Sequence, residues 1–274
     1  MFDERLRVMV EQLGLAVYPS LAALWIYQSK RRMHYWLAAN DVPQPRTWVF
    51  YDRDEALAFA ETADLPLVYK PDLGGAARGV RIFRSRSALK RHIRRVFRRG
   101  PRLPGWDPRE RQWGTVFLQA YVDAPGEWRM IRVGDSYFGY EKRKQGEFHS
   151  GSHLWNYGRP PDRLLDLLKH VTDRGRFSSL NMDVFVTADG EMLVNELQTV
   201  FGMGGPYEMC VVDDVPGRMV HDGTPEGWRF QQGRFCHNYL CNLRVEALLG
   251  QIGVPLEVSP EPVPPGPLDY CEVY

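Results

Sequence analysis

The residues best placed to do chemistry lie between 181 and 198, in the stretch NMDVFVTADGEMLVNELQ. Asp183 precedes the apolar run Val184-Phe185-Val186. Ala188-Asp189-Gly190 is a turn signal, and a second run, Met192-Leu193-Val194, leads to Glu196 and Gln198. Two apolar runs about an Asp-Gly turn predict a β-hairpin. Period-two alternation puts Glu196 and Gln198 on one face of the second strand, and Asp183 can face the same way from the first. Two carboxylates and an amide oxygen are hard ligands, suited to magnesium beside a nucleotide phosphate.

A second candidate lies upstream. Leu67-Val68-Tyr69 reads as a strand with Lys70 at its end, followed by Gly74-Gly75-Ala76-Ala77-Arg78-Gly79 and the strand Val80–Phe83. A Walker A loop needs Lys-Ser/Thr and a following helix, and a Rossmann turn also opens a helix; neither pattern fits. What remains is either an ordinary glycine-rich hairpin or a loop whose N–H groups can lie over phosphates. His149 and His153 have i,i+4 spacing, but Ser150-Gly151-Ser152 between them argues for a loop. A substrate-contacting segment is therefore preferred to a zinc pair. Cys236-His237 with Cys241 reads as core. Phe201-Gly202-Met203-Gly204-Gly205-Pro206 is a flexible segment that suits an acceptor loop.

The elements that must position these groups follow from local signals. Residues 3–13 suggest a short helix. Ser29 caps a helix over 30–39, and Asp52 or Asp54 starts another through about Thr62. Thr47–Phe50, Thr115–Val122, Glu127–Val133 and Ser136–Lys142 read as strands, with loops at 100–114 and 144–160. Pro160-Pro161-Asp162 opens a helix ending near Gly175. After the hairpin only Asn238–Leu249 reads as helical, and residues 254–268, with six prolines, form an extended tail. Strands and helices mix without strict alternation, which predicts α+β rather than a Rossmann sheet.

Composition sets the frame. The 274 residues are 44% hydrophobic and 25% charged, ordinary values for a globular protein. The apolar run Leu21–Tyr27 is far too short to span a bilayer, so no membrane role is expected. Met1-Phe2-Asp3-Glu4 does not open a signal peptide, and the four cysteines form no CxxC pair. Reduced thiols and a cytoplasmic location are the expectation. The net charge of +1 hides an asymmetry: residues 78–102 carry eleven Lys or Arg and no Asp or Glu. Leu89, Ile93, Val96 and Phe97 recur there at helical spacing, giving an amphipathic helix with a basic outer face. That face, about residues 84–102, is either solvated or a surface for an anionic partner such as nucleic acid, polyphosphate or an acidic polymer.

In order, these pieces resemble the ATP-grasp superfamily, which includes D-alanine–D-alanine ligase, glutathione synthetase and the enzyme that adds glutamate to a ribosomal protein. The residues carrying the resemblance are Lys30 at a helix start, VYKPDLGGAARGV (68–80), FLQAYV (117–122), GEWRMIRV (126–133), Lys142-Arg143 and the acidic hairpin, together covering roughly residues 28–205. The resemblance implies an α+β fold of two lobes clamping ATP. The lobes would span residues 30–122 and 123–250, with a short segment at 1–29 and the tail at 251–274. It implies that Lys30 and Lys70 hold phosphates, that Gly74, Gly75 and Gly79 form a lid over them, and that Gln119, Ala120, Tyr121 and Val122 line the adenine. Glu127 would take the ribose hydroxyls, although it could equally pair with Arg129. Arg129 and Lys142 or Arg143 would meet phosphates or an acyl phosphate. Arg132 falls on the opposite face from Arg129 and is left out. Asp183, Glu196 and Gln198 would ligate magnesium.

Three departures from the family pattern stand out. Gln198 takes the place of the usual last ligand, Asn. Asn181 stands where some ligases carry an Arg. Only 29 residues precede Lys30, where the family usually carries a whole domain. The expectation is that the acceptor is held by residues 144–160, by residues 200–274, or by a partner chain or second copy. The implied activity is an ATP- and magnesium-dependent ligase joining a small-molecule or peptide carboxylate to an amine. The alternatives are a kinase of the same fold and, third, an ATP-binding regulatory or nucleic-acid-associated module.

Overall fold

A computed structural model of the chain describes residues 2–74, 77–101, 112–144, 146, 149, 154–201, 210–224, 227–236 and 240–254. Gly75, most of the loop at 100–114, His153, residues 202–206 and nearly all of the proline-rich tail lie outside the described residues. The chain divides into two compact units. One holds Met1–Leu24, Gly126–Val184 and Leu197–Tyr274; the other holds Trp25–Pro125 and Phe185–Glu196. They are called here the large-sheet unit and the small-sheet unit.

The chain opens on α1 (Phe2–Arg7), a π-turn at Val8–Gln12 and α2 (Leu21–Tyr27). The small-sheet unit then runs α3 (Lys30–Ala39), β1 (Thr47–Phe50), α4 (Arg53–Thr62), β2 (Leu67–Tyr69), β3 (Arg81–Phe83), α5 (Arg86–Arg99) and β4 (Val116–Ala120). The helix starts are chemical. Ser29, in extended conformation, accepts a bond from the Arg32 N–H and caps α3. Asp52 accepts from the Asp54 and Glu55 N–H groups and caps α4. The strands form an antiparallel sheet in the order β1-β4-β2-β3. On it pack Leu89, Ile93 and Val96 of α5 and Ala56 and Ala60 of α4, with Leu67, Tyr69, Phe83, Val116 and Leu118 of the strands completing the core. The two alanines let the helices approach closely.

The large-sheet unit is built on β5 (Gly126–Val133), β6 (Ser136–Arg143), β7 (Trp155–Tyr157), α6 (Asp162–Gly175), β8 (Ser179–Val186), β9 (Met192–Gln198), β10 (Val211–Val212), β11 (Val215–His221), β12 (Trp228–Gln232) and α7 (Cys241–Gln251). Its sheet has the order β10-β11-β6-β5-β8-β9, with β12 paired to β11 and β7 to β6. The far end of the β8–β9 hairpin, Phe185–Glu196, groups with the small-sheet unit. Leu164, Leu165, Leu168 and Val171 of α6 are fully buried, and the helix packs on β5.

The α+β reading and most elements before residue 200 stand as expected. The strand content after residue 200 was not foreseen: β10, β11 and β12 lie in a region where only the helix at 238–249 is read, and β7 lies in the expected loop at 144–160. Asp213 and Asp214 both adopt positive φ (52° and 62°), making a two-residue turn between Val212 and Val215. Pro216 and Gly217 on β11 disguise that strand in sequence. Gly217 is required there because a Cβ would collide with the ring of Phe230 on the paired strand.

Candidate functional site

In the large-sheet unit, register decides which side chains meet. On the β5–β6 hairpin, Glu127 stands opposite Lys142 and Arg129 opposite Tyr140. Alternation sends Glu127 and Arg129 to one face and Arg132 to the other, where Arg132 bonds Thr172 and pairs with Asp173 on α6. β8, the next strand, brings Asp183 to the first face. Arg129 donates to both Asp183 oxygens, Nε to Oδ1 at 3.0 Å and Nη2 to Oδ2 at 3.1 Å. Lys142 Nζ lies 2.9 Å from Asp183 Oδ2 and 2.7 Å from Glu127 Oε2. Asp183, Glu127 and Lys142 are all buried. Two cations thus meet two carboxylates, nearly out of water.

Electrostatics fix their charge states. Burial pushes the Asp183 carboxyl upward, but Lys142 and Arg129 outweigh it and hold the group well below the usual carboxylate range. Burial would lower Arg129 and Lys142, yet Asp183, with Glu127 beside it, raises both. All three stay ionised at neutral pH. Beside them Asn181 Nδ2 donates to Gln198 Oε1 at 2.9 Å, which fixes the Gln198 amide with its oxygen turned to Asn181. Arg143, next to Lys142 and on the opposite face, is exposed; the cluster takes Lys142 and not Arg143.

The small-sheet unit gathers a second set. Lys30 Nζ donates to the Gly74 carbonyl at 2.5 Å and lies 3.8 Å from Glu196 Oε1. Lys70, just past β2, donates to Asn195 Oδ1 at 2.7 Å. Two lysines and a carboxylate from distant parts of the sequence therefore sit in one neighbourhood. Gly74 and Gly79 have φ of 113° and 77°, left-handed values that explain glycine at both ends of the loop. At 117–122, Gln119 is buried and donates to Thr47 Oγ1 at 3.0 Å. The Ala120 and Tyr121 N–H groups donate to the Arg46 and Pro66 carbonyls, so both are already engaged within the unit. Val122 is half-buried.

Two residues in these sets escaped the sequence reading. Asp72 is buried and accepts from Ser29 Oγ at 2.7 Å, from the Arg31 N–H at 3.0 Å and from Arg31 Nη2 at 2.8 Å, while its carbonyl takes the Lys30 N–H at 2.9 Å. Arg31 holds the Asp72 carboxyl below its ordinary value against the upward push of burial. Asn195 is the other; Asn181, noted in the sequence as a departure from the family pattern, is held to Gln198. The signal for Asn195 was its place between Val194 and Glu196; for Asp72 it was the Lys-Pro-Asp triplet.

The donor chemistry fits magnesium in part by itself and in part through a substrate. Asp183 is ionised with both oxygens held by Arg129 and Lys142, Glu196 is a partly exposed carboxylate, and Gln198 carries an amide oxygen that takes the Asn181 amide. Among the described residues no three His, Cys, Asp or Glu side chains cluster to hold a metal unaided. A magnesium ion would complete its shell from amide, water and phosphate oxygens, its ordinary mode beside nucleotides.

No protein-family model matches the sequence, and no curated protein matches it. Solved structures do. An ATP-grasp RimK domain protein from Sphaerobacter thermophilus superposes with a TM-score of 0.54 at 18% identity, covering 72% of this chain and 68% of that one. The biotin carboxylase domain of a Hydrogenobacter thermophilus 2-oxoglutarate carboxylase, solved with MgADP and bicarbonate, gives 0.53 at 16% identity over 75% and 52% of the two chains. A Chryseobacterium gregarium RiPP-associated ATP-grasp ligase, in complex with ADP and a leader and core peptide, gives 0.56 at 14% identity over 73% and 60%. This chain thus spans from about half to two thirds of the solved chains it resembles. It has the ATP-grasp fold. Among its described residues no helix is long and apolar enough to cross a membrane.

Proposed function

We propose that the chain is an ATP- and magnesium-dependent ligase that joins a carboxylate to an amine through an acyl phosphate. The observation that carries this reading is the buried Arg129–Lys142–Asp183–Glu127 cluster on an ATP-grasp sheet. Transfer of a γ-phosphoryl group to a carboxylate brings anions together. The protein's main task is then to supply cations fixed in advance, in a place poor in water.

In this reading Lys30 and Lys70 hold the ATP phosphates as point charges. The Gly74–Gly79 loop, Gly75 included, covers them, and the main chain at Gln119–Val122 lines the adenine through groups not already engaged. Glu127 takes the ribose hydroxyls or keeps Lys142 charged; its contact at 2.7 Å supports the second role. Arg129 and Lys142 neutralise the substrate carboxylate and then the acyl phosphate. Asp183, Glu196 and Gln198 would hold magnesium, which when bound supplies charge neutralisation and a template for the phosphates. The substrate carboxylate oxygen attacks the γ-phosphorus and ADP leaves. An amine then attacks the acyl carbon, phosphate leaves, and the ammonium proton passes to solvent. The carboxylate and amine belong to small molecules or peptides.

Hydroxylamine tests this directly. With ATP, magnesium and a panel of amino acids, peptides and sugar acids, the activated acid is trapped as a hydroxamate. A stable phosphomonoester with no trapped acyl group and no amine incorporated would replace the ligase with a kinase.

A further inference from the structure

The basic helix has no part in that chemistry. Its buried positions, Leu89, His92, Ile93 and Val96, pack toward the small sheet, while Arg86, Arg91, Arg94, Arg95, Arg98 and Arg99 are exposed. Two of its cations have structural work. Arg86 Nε and Nη2 donate to the Glu61 and Ala63 carbonyls at the end of α4, and Lys90 pairs with Glu61 at 2.6 Å. Arg91, Arg95 and Arg98 have no carboxylate partner among the described residues. Arg94 lies in the field of Glu61, which Lys90 already holds.

A helix face that only had to be soluble would mix signs, since Glu–Lys pairs at i,i+4 stabilise and like charges destabilise. Here Arg91 meets Arg94 and Arg95, Arg94 meets Arg98, and Arg95 meets Arg98 and Arg99 at those spacings. Each like pair costs about 0.2–0.5 kcal/mol in an isolated helix. The first turn of α5 carries no acidic residue either, so its amino end gains nothing from the macrodipole.

We infer that α5 is a docking surface for the phosphodiester backbone of a nucleic acid, bound without reading base sequence. Three features select this occupant over an acidic protein. None of the exposed large apolar side chains lies on α5, and a protein interface would want an apolar centre with aromatic anchors. The four cations are all Arg, whose planar fork matches phosphate oxygens. Arg91 to Arg98 spans about 10 Å of helix at 1.5 Å per residue, enough to follow about three backbone steps of one strand, or four phosphates, at about 3.4 Å per step. The surface lies outside the Lys30, Lys70 and Asp183 sets, so it stands whether or not the ligase reading does.

The test is fluorescence anisotropy of the full chain with a labelled duplex and a labelled single strand, titrated at several salt concentrations. Wild type is expected to bind both, with log K falling against log salt at a slope of about −3 for four phosphate contacts. Changing Arg91, Arg94, Arg95 and Arg98 together to Gln should weaken binding at least about tenfold and flatten the slope. The four-fold Lys variant, which keeps the charge, should retain most of the affinity. An unchanged melting temperature and circular dichroism spectrum for each variant separate docking from folding. No binding at low salt, a Gln variant that binds like wild type, or Arg-dependent binding of poly-glutamate in preference to the oligonucleotides would overturn the inference.

Discussion

Asp183 and Glu196 share a hairpin but carry different burdens, and substitutions should separate them. Asp183 accepts from both Nε and Nη2 of Arg129 and is one of two carboxylates on Lys142. Asp183→Asn leaves two buried cations short of an anion, a cost of about 3 kcal/mol or more. Loss of activity in that variant would therefore mix chemistry with unfolding, and its melting temperature is expected to fall by several degrees. Glu196 is partly exposed and lies 3.8 Å from Lys30. Glu196→Gln should keep the fold, with a melting temperature near wild type, and lose ADP formation about 100-fold or more if the residue holds magnesium. Near wild-type turnover would remove it from the metal set. Lys70→Ala removes one point charge from the phosphates and should weaken a non-hydrolysable ATP analogue about tenfold by calorimetry. An unaltered affinity would take Lys70 out of the site.

At the scale of elements, the fastening of α3 to the loop after β2 carries an argument of its own. Asp72 ties the Ser29 cap, the Arg31 N–H and the Arg31 guanidinium together, and its carbonyl holds the Lys30 N–H. Asp72→Asn weakens the pair with Arg31 and should cost about 1–2 kcal/mol, because Arg31 is only partly buried. As a positioning residue it should raise the KM for ATP several-fold more than it lowers kcat. An equal fall in stability with no change in KM would reduce it to a structural tie. A second element effect concerns His92, wedged between Tyr69 and Phe83. Neither ring nitrogen has a hydrogen-bond partner among the described residues. Burial first, then Arg81 and Arg95, depress it from 6.5 to about 4. The unfolded chain takes up this proton near pH 6.5 and the folded chain only near pH 4, so stability falls as pH drops through that window. The loss is on the order of 3 kcal/mol. His92→Leu should flatten chemical denaturation midpoints between those pH values; an identical pH profile would refute the assignment.

These elements also show what the chain reveals before it folds. Ser29, Asp52, the hydrophobic spacing of α5 and α6 and the Asp-Gly hairpin turn are local signals, and the expected elements coincide closely with those observed. The ATP-grasp fold followed from their order. What escaped was non-local or disguised. Asp72 and Ser29 are 43 residues apart, and only folding reveals that a carboxylate caps a distant helix start. The choice of Lys142 over Arg143 depends on strand register, which one residue of slip would reverse. The β10–β11 hairpin turns on Asp213-Asp214 without glycine, so its turn was not recognised.

For the whole molecule, the ligase reading makes a claim about cooperativity that neither residue nor element tests. Of the residues it employs, Lys30, Lys70 and Glu196 belong to the small-sheet unit and Arg129, Lys142 and Asp183 to the large-sheet unit. A ligand that binds only the native state stabilises it by about 2.7 kcal/mol at one hundred times its Kd. For a chain of 274 residues that corresponds to a rise of roughly 5–10 °C in melting temperature. Two units can melt separately, so calorimetric scans should be read as two transitions where they resolve. Nucleotide binding should raise the transition of the unit that holds it, and do so fully only when ATP and magnesium are present together. Glu196→Gln should lose the magnesium-dependent part while keeping a smaller rise from ATP alone. A rise confined to one transition would place the nucleotide on a single unit, and an equal rise in the presence of EDTA would remove magnesium from the binding step.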